Sequence, residues 1–191
     1  MITRHFKTLD VPLERLIKKD AKLYRMPADQ LCSARAFDPK ELLKEDVYSL
    51  LSELGHLAGL LFEQRPGAEK DNIHIDYDKV SKRPFWPCLN LILEGQGVLR
   101  WHRPVGPGEL RTAGGNIYMA WNKECYGQII DEWSSGKVAL VRTDIPHNAF
   151  NFDKETRLSI SIRWSKRYTW NETLAWFNKV FLERINLQPH P

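Results

Sequence analysis

An imidazole and a carboxylate stand two positions apart in the segment DNIHIDYD, residues 71–78. Successive side chains of a β-strand point to opposite faces, so His74 and Asp76 are predicted to share one face, opposite to Ile73 and Ile75. Polar groups of this kind are costly to bury unless something binds them. The pair is therefore a candidate ligand set, and its partners must come from elsewhere in the chain.

A third candidate ligand, His147, lies 73 residues after His74 (147 − 74) in the segment TDIPHNAFN. The preceding Pro146 favours extended backbone and marks a turn or the start of a strand. Two imidazoles and one carboxylate occupy one face of an octahedral metal ion and leave three positions open, as in non-haem Fe(II) oxygenases. His147 completes such a set if the fold brings it beside the pair; a lone histidine can also be structural or exposed.

A strict alternation of polar and apolar residues runs through RLSISIRW, residues 157–164. One face of this strand is therefore predicted to be dry, and the other is either solvated or the wall of a pocket if helices cover the dry face. In a pocket, Arg157 can bind a carboxylate through two parallel hydrogen bonds, with Ser159 beside it as a second donor. Asn90 is a further candidate for binding that carboxylate, or alternatively a structural amide.

The remaining elements are predicted from periodicity and turn residues. Residues 1–68 are predicted to be mainly helical, including one or two amphipathic helices over 38–62 that begin at Asp38 with a proline after it. Residues 69–166 consist of β-like runs separated by turn sequences, and residues 167–187 return to a helical period. The runs are NIHIDY, CLNLILEGQGVLRWHR, NIYMAW, KVALVRT and RLSISIRW. The pattern predicts a single α+β domain over 1–191, with a many-stranded core between helices.

Composition narrows the class of protein. The chain has 191 residues, of which 42% are hydrophobic and 27% charged, as in a globular domain. The net charge of +4 comes from 28 basic and 24 acidic residues scattered along the chain, which does not indicate a nucleic-acid partner. Three cysteines without a CxxC spacing argue against a disulfide framework or a zinc ribbon. No stretch resembles a signal peptide or membrane span, so a cytoplasmic location is expected.

The ordered set H-x-D, distal His and R-x-S resembles the Fe(II)/2-oxoglutarate-dependent oxygenase superfamily, in particular its compact hydroxylase-like members, over about residues 70 to 165. The resemblance implies a double-stranded β-helix core (jelly-roll, cupin-like) with N-terminal supporting helices and a C-terminal helix. It also implies Fe(II) bound by His74, Asp76 and His147, and 2-oxoglutarate held by Arg157. Dioxygen and an unidentified substrate, a small molecule or an amino-acid residue to be hydroxylated, are the expected partners. Aspartyl hydroxylases lack the metal-binding carboxylate that Asp76 supplies here, so the substrate class stays open.

Two other functions are compatible with these residues. A cupin-type metalloenzyme would keep the metal site but use no 2-oxoglutarate, and Arg157 discriminates against it. A non-catalytic jelly-roll binding module would need neither the metal nor 2-oxoglutarate. Fold alone does not decide between these functions, because one fold hosts many of them. Asp76 discriminates against the binding module. The sequence does not indicate an oligomeric state.

Several other residues could belong to the site, and their neighbours in sequence indicate a role for each. His102 has no carboxylate two residues away, so it is predicted to be a surface or substrate-side residue rather than a ligand. Cys88 and Cys125 have no nearby base and are predicted to be buried thiols. Four tryptophans are predicted to pack in the core or, alternatively, to rim a substrate entrance: Trp86, Trp101, Trp121 and Trp133.

Overall fold

A computed structural model describes residues 5–19, 25, 30, 32–66, 73–77, 84, 87–113, 116–134 and 136–187. The strands are β1 Phe6–Thr8, β2 Cys32–Phe37, β3 Leu57–Gln64, β4 Ile73–Tyr77, β5 Cys88–Glu94, β6 Val98–Arg103, β7 Glu109–Ala113, β8 Asn116–Trp121, β9 Gln128–Trp133, β10 Val138–Val141, β11 His147–Phe150 and β12 Arg157–Trp164. The helices are α1 Leu13–Leu16, α2 Pro39–Leu42, α3 Glu45–Ser52, α4 Trp170–Trp176 and α5 Leu182–Leu187, with a π-helical turn at Phe177–Phe181 and a 3₁₀ turn at Lys123–Cys125.

The strands form two antiparallel sheets of six strands each. The first sheet has the order β1-β10-β5-β12-β3-β2, and the second has the order β7-β8-β4-β11-β6-β9. Eight of these strands, β3 to β6 and β9 to β12, form the core of the fold, with four in each sheet. Counted one to eight, they stand in the orders 6-3-8-1 and 2-7-4-5, which is the strand order of a double-stranded β-helix. The fold class predicted from the sequence is therefore confirmed.

Helices cover the outer face of the first sheet. The side chains of Leu158, Ile160 and Ile162 in β12 are at most 1% exposed and belong to one hydrophobic cluster with residues of the helices. Val47 and Leu51 of α3 and Phe177 of the C-terminal helix are members of the same cluster. Since the even-numbered residues of β12 face the helices, the odd-numbered polar residues must face the space between the two sheets.

The prediction of helix over residues 38–62 is correct only for its first half. Asp38 does cap α2, with its side chain accepting a hydrogen bond from Lys40 N (2.9 Å), but Leu57–Gln64 is strand β3. Gly55, at φ +104°, ends the helical region in a conformation that L side chains rarely adopt. β3 then pairs with β12 along its whole length, and this long-range pairing overrides the helix-like spacing of its leucines.

The described part of residues 1–68 is accordingly not mainly helical, which corrects the sequence-based prediction. This part of the chain contributes β1 and β2, which extend the first sheet at its two edges, and β3, which is a core strand. The double-stranded β-helix therefore begins at Leu57 rather than at residue 69. Among the described residues before Cys32, the one helix is α1.

The predicted C-terminal helix is confirmed over residues 170–187. Thr169 caps it through a reciprocal capping box with Glu172. The aromatic ring of Phe177 packs against Trp164 at the end of β12, with ring centroids 5.8 Å apart. The C-terminal helix thereby covers the outer face of the first sheet at the end of β12. No helix in the described part of the chain is long and apolar enough to cross a membrane.

Replacing Leu54 by Ala is expected to lower the free energy of unfolding by about 2–5 kcal/mol, because the side chain is 1% exposed in the cluster between helices and sheet. Leu110→Ala is the matched control, since Leu110 is 60% exposed and its loss should change stability by less than about 0.5 kcal/mol. Urea unfolding of both variants and the wild-type protein gives the comparison. Equal destabilisation by the two substitutions would contradict the proposed packing.

Candidate metal centre

His74, Asp76 and His147 meet between the two sheets, as the sequence predicts. β4 and β11 are neighbours in the second sheet, and His147 stands directly opposite His74 in their register. The ring centroids of the two histidines are 4.6 Å apart, and His74 Nε2 is 3.6 Å from Asp76 Oδ1. One ligand atom from each of the three residues lies within 4.8 Å of the others. The arrangement offers two nitrogen donors and one carboxylate oxygen to a single divalent ion.

The hydrogen bond of His147 determines which ring nitrogen faces the site. His147 Nδ1 lies 2.9 Å from the carbonyl oxygen of Ile145, which can only accept a hydrogen bond. Nδ1 must therefore carry the proton, and Nε2 is the nitrogen whose lone pair can bind a metal ion. Such a backbone contact is typical of metal-binding histidines because it fixes the tautomer and the ring orientation.

Arg163 is a further component of the site, and the sequence analysis gave it no role. Its Nη2 donates to Asp76 Oδ2 at 2.5 Å, and Arg163 is itself 8% exposed. This charge-assisted bond holds the carboxylate with its other oxygen, Oδ1, on the side of His74. The alternation of β12 already placed Arg163 on the polar face, so its direction was predictable. Its partner was not, because β4 lies 87 residues away in sequence.

Arg157 lines the same cavity and is 3% exposed. Its Nη1 donates to Gln64 Oε1 at 2.6 Å, and no carboxylate among the described residues pairs with it. Burial lowers the pKa of the guanidinium to about 10, so the group stays charged at neutral pH. Its Nε has no hydrogen-bond partner among these residues. A buried cation without a counter-charge is costly, and an anionic ligand would remove that cost.

Gly97 leaves the space that the Arg157 side chain occupies. A Cβ atom at Gly97 would lie 2.2 Å from Arg157 Cδ and 2.5 Å from its Nε. It would also lie 2.9 Å from the carbonyl oxygen of Phe150, which cannot move without shifting β11. The turn between β5 and β6 therefore forms one wall around the guanidinium, and only glycine fits there without displacement.

Hydrogen-bond donors line the wall between Arg157 and the histidines. Ser159 and Ser161 point into the cavity from β12, each 3% exposed, and Asn90 points in from β5. The buried Cys88 thiol accepts from Ser161 Oγ (3.1 Å) and donates to Asn90 Oδ1 (3.5 Å). Because the amide oxygen of Asn90 faces the thiol, its NH₂ group is left to donate into the cavity. Burial raises the pKa of Cys88 to about 11, so the thiol keeps the proton that this arrangement needs.

The cavity between the sheets has a volume of about 170 Å³ and connects the three candidate ligands to Arg157. Gln64 connects Arg157 to strand β11, which carries His147. Its Nε2 donates to the carbonyl oxygen of Ala149 at 3.2 Å. Ala149 lies two residues along β11 from His147, a span of roughly 7 Å in a strand. The three candidate ligands and the guanidinium therefore line one small cavity and are connected through Gln64 and β11.

His102 is not the surface or substrate-side residue that the sequence predicted. It is 5% exposed and lies on the outer side of the second sheet, away from the cavity, where Nε2 is 2.8 Å from Asn148 Oδ1. Asn148 points away from the site because it follows His147 in a strand. Burial lowers the pKa of His102, which keeps the imidazole neutral. The sequence-based prediction was wrong because residues from another segment bury His102. Tyr126 is one of them, and its ring centroid lies 6.0 Å from that of His102.

The tryptophans in the described part of the chain pack in the core rather than around an entrance. Trp101, Trp121 and Trp133 are 0%, 7% and 1% exposed, and Trp86 lies outside the described residues. Of the cysteines predicted to be buried thiols, Cys88 is buried and Cys125 is half-buried. None of these residues adds a ligand to the candidate metal centre.

No protein-family model matches the chain, and no curated protein matches it in sequence. Among solved structures, oxalate oxidase in complex with the substrate analogue glycolate aligns with a TM-score of 0.38 and 13% identity, over 78% of this chain and 59% of that one. Bacillus subtilis oxalate decarboxylase, a protein with Mn(II) centres, aligns with a TM-score of 0.38 and 14% identity, over 85% of this chain and 37% of that one. The chain thus spans less than two thirds of the length of either protein.

Proposed function

We propose that this protein is an Fe(II)- and 2-oxoglutarate-dependent oxygenase that hydroxylates a small molecule or an amino-acid residue. The observation that carries the proposal is Arg157, a buried guanidinium without a counter-carboxylate among the described residues, in the same cavity as His74, Asp76 and His147. A ligand with a metal-chelating end and a distant carboxylate fits both features. 2-Oxoglutarate has this chemistry, with a keto-acid group at one end and a carboxylate at the other.

The donor set suits Fe(II). Two imidazoles and a carboxylate on one face of the ion leave three positions for a chelating cosubstrate and dioxygen. When bound, iron and 2-oxoglutarate supply the activation of dioxygen that oxidises a C–H bond, with succinate as the product of the cosubstrate. Mn(II) suits the same ligands, so the donor set alone does not choose between the two metals.

The chain's own residues have binding and orienting roles in this proposal. Asp76, His74 and His147 hold the ion, and Arg163 fixes the orientation of the Asp76 carboxylate. Arg157 binds the far carboxylate of the cosubstrate, with Ser159 and the Asn90 amide as additional donors. The side chains of Leu99 and Ala149 give the cavity apolar walls that exclude water from part of the site.

The alternative is a cupin-type metalloenzyme that uses no 2-oxoglutarate. The three candidate metal ligands support it equally well. Arg157 favours the main proposal over a metalloenzyme whose ligands carry no carboxylate, because such an enzyme has no need of a buried guanidinium without a carboxylate partner. A metalloenzyme with a different anionic substrate is distinguished by the titration described next.

The deciding experiment is an anaerobic titration of 2-oxoglutarate into Fe(II)-loaded protein, followed by an oxygen-dependent assay for succinate over a panel of candidate substrates. The proposal expects saturable binding, and succinate formation that increases with at least one substrate. Metal binding at one ion per chain without any affinity for 2-oxoglutarate would favour the cupin-type alternative. Absence of metal binding would favour a non-catalytic binding module.

Gly97→Ala is expected to weaken 2-oxoglutarate binding about tenfold or more, because the added methyl group takes the place of Arg157 Cδ and Nε. Fe(II) affinity should change little, since none of the three candidate ligands contacts Gly97. Isothermal titration of both ligands under nitrogen measures the two affinities. An unchanged cosubstrate affinity in a folded Gly97→Ala protein would mean that Arg157 does not need this position.

A further inference from the structure

Gln64 stands at the junction between the anion-binding end of the cavity and strand β11. It is 4% exposed, and its side-chain amide makes two hydrogen bonds in opposite directions. Oε1 accepts from Arg157 Nη1 at 2.6 Å, and Nε2 donates to the carbonyl oxygen of Ala149 at 3.2 Å. Only one orientation of the amide satisfies both partners, because the guanidinium can only donate and the carbonyl can only accept.

The backbone at Gln64 is also held in place. Its carbonyl oxygen accepts a hydrogen bond from Asn151 Nδ2 (2.9 Å), and Asn151 is 1% exposed. The same Nδ2 donates to the carbonyl oxygen of Glu155 (2.8 Å), and Asn151 Oδ1 accepts from Asp153 N (3.0 Å). The turn from β11 to β12 is thereby attached to β3 at the point where Gln64 meets Arg157.

An amide and a carboxylate would act differently at this position. A glutamate has the size of glutamine, but it would place an anion against the buried guanidinium and leave the carbonyl of Ala149 facing a second acceptor. Glutamine instead fixes the guanidinium through one of its donors and leaves the positive charge uncompensated. Because no carboxylate among the described residues pairs with Arg157, the remaining charge is available to an anionic ligand.

We propose that Gln64 is the positioning residue for Arg157, and that its neutral amide makes the cavity selective for a ligand with a carboxylate at this end. The identity of that ligand as 2-oxoglutarate rests on the proposed function. Gln64 does not touch the ligand in this assignment. It acts through Arg157, which it holds against β11.

The test compares wild-type protein with Gln64→Glu and Gln64→Leu, each loaded with Fe(II) under nitrogen and titrated with 2-oxoglutarate at one slightly alkaline pH. Gln64→Glu should bind 2-oxoglutarate at least ~30-fold more weakly at pH 8, because an internal carboxylate occupies the guanidinium. Gln64→Leu loses positioning without adding charge, so a smaller loss of about three- to tenfold is expected. Fe(II) affinity should be the same in all three proteins.

The stability of the same proteins separates charge competition from a general structural defect. Gln64→Glu should unfold at a urea concentration at least as high as Gln64→Leu, because its carboxylate pairs with the buried guanidinium, although it binds 2-oxoglutarate more weakly. A general structural defect would instead lower stability and affinity in the same order. Equal binding by wild type and Gln64→Glu, weaker binding by Gln64→Leu than by Gln64→Glu, or loss of Fe(II) along with the cosubstrate would each overturn the inference.

Failure of the proposed function is distinguishable from failure of this inference. If wild-type protein binds Fe(II) but no 2-oxoglutarate, the decisive probe is glutarate, a five-carbon diacid without the keto group, tested on metal-free protein by thermal unfolding. Stabilisation of the wild type but not of Gln64→Glu would support the role of Gln64 for another carboxylate ligand. Equal stabilisation of both proteins, or of neither, would overturn it.

Discussion

Asp76→Ala is expected to abolish tight Fe(II) binding, with a loss of affinity of at least ~100-fold, because it removes the one carboxylate from the three candidate ligands. The substitution also leaves the buried Arg163 guanidinium without the carboxylate that it contacts, so some loss of stability is expected as well. Asp76→Asn reduces this second effect, since the amide oxygen can still accept a hydrogen bond from Arg163 although it supplies no counter-charge. It should lose iron affinity while the protein remains folded.

Metal affinity and unfolding should be measured on the same samples of wild type, both Asp76 variants and Asp10→Ala. Asp10 is an exposed aspartate outside the regular elements, and its removal controls for the loss of one negative charge. Iron affinity of the wild type should also fall as the pH drops below about 6.5, where imidazoles become protonated and can no longer bind the ion. Equal iron affinity in wild type and Asp76→Asn would show that the assignment of the three ligands is wrong.

Arg157→Ala is expected to weaken 2-oxoglutarate binding by about 2–5 kcal/mol, roughly 30-fold to several thousand-fold in dissociation constant. The guanidinium is 3% exposed and has no carboxylate partner among the described residues, so the ligand would supply its counter-charge. Arg157→Lys should lose less, because an ammonium keeps the charge but forms a point contact in place of two parallel hydrogen bonds.

The measurement is the affinity for 2-oxoglutarate in the Fe(II) form without oxygen, alongside the iron content. Arg184→Ala is the matched control, since Arg184 is exposed and pairs with Glu53 on the surface. Iron content should persist in all the arginine variants, because Arg157 is not among the candidate ligands. Unchanged cosubstrate affinity in Arg157→Ala would remove 2-oxoglutarate from the proposal and leave a metal-binding jelly roll. Loss of iron together with the cosubstrate would assign Arg157 a structural role.

Features that depend on the period of a strand could be predicted from the sequence alone. The direction of a side chain in a strand follows from its position, so the shared face of His74 and Asp76 needed no knowledge of the fold. The same reasoning separated the polar residues of β12 from Leu158, Ile160 and Ile162, which the structure places against the helices. The cap at Thr169 is equally local, because the residues that form it are three positions apart.

The identity of β3 was not decided locally. The segment LAGLLFEQ has leucines at spacings that suit one face of a helix, yet its alternating Leu57, Gly59 and Leu61 also suit a strand. The choice depends on pairing with β12 on one side and with β2 on the other, and both partners are distant in sequence. Backbone hydrogen bonds to two neighbouring strands outweigh a weak local preference for helix.

The partners of the charged groups were likewise decided only by the tertiary structure. Arg163 meets Asp76 across 87 residues of sequence, and Arg157 meets Gln64 across 93. The sequence determined that both arginines point to the polar face of β12, since that follows from alternation. The strands that the two sheets bring together decide that Arg163 contacts a carboxylate and that Arg157 contacts a neutral amide. Long-range pairing fixes these contacts, and local periodicity contains no information about them.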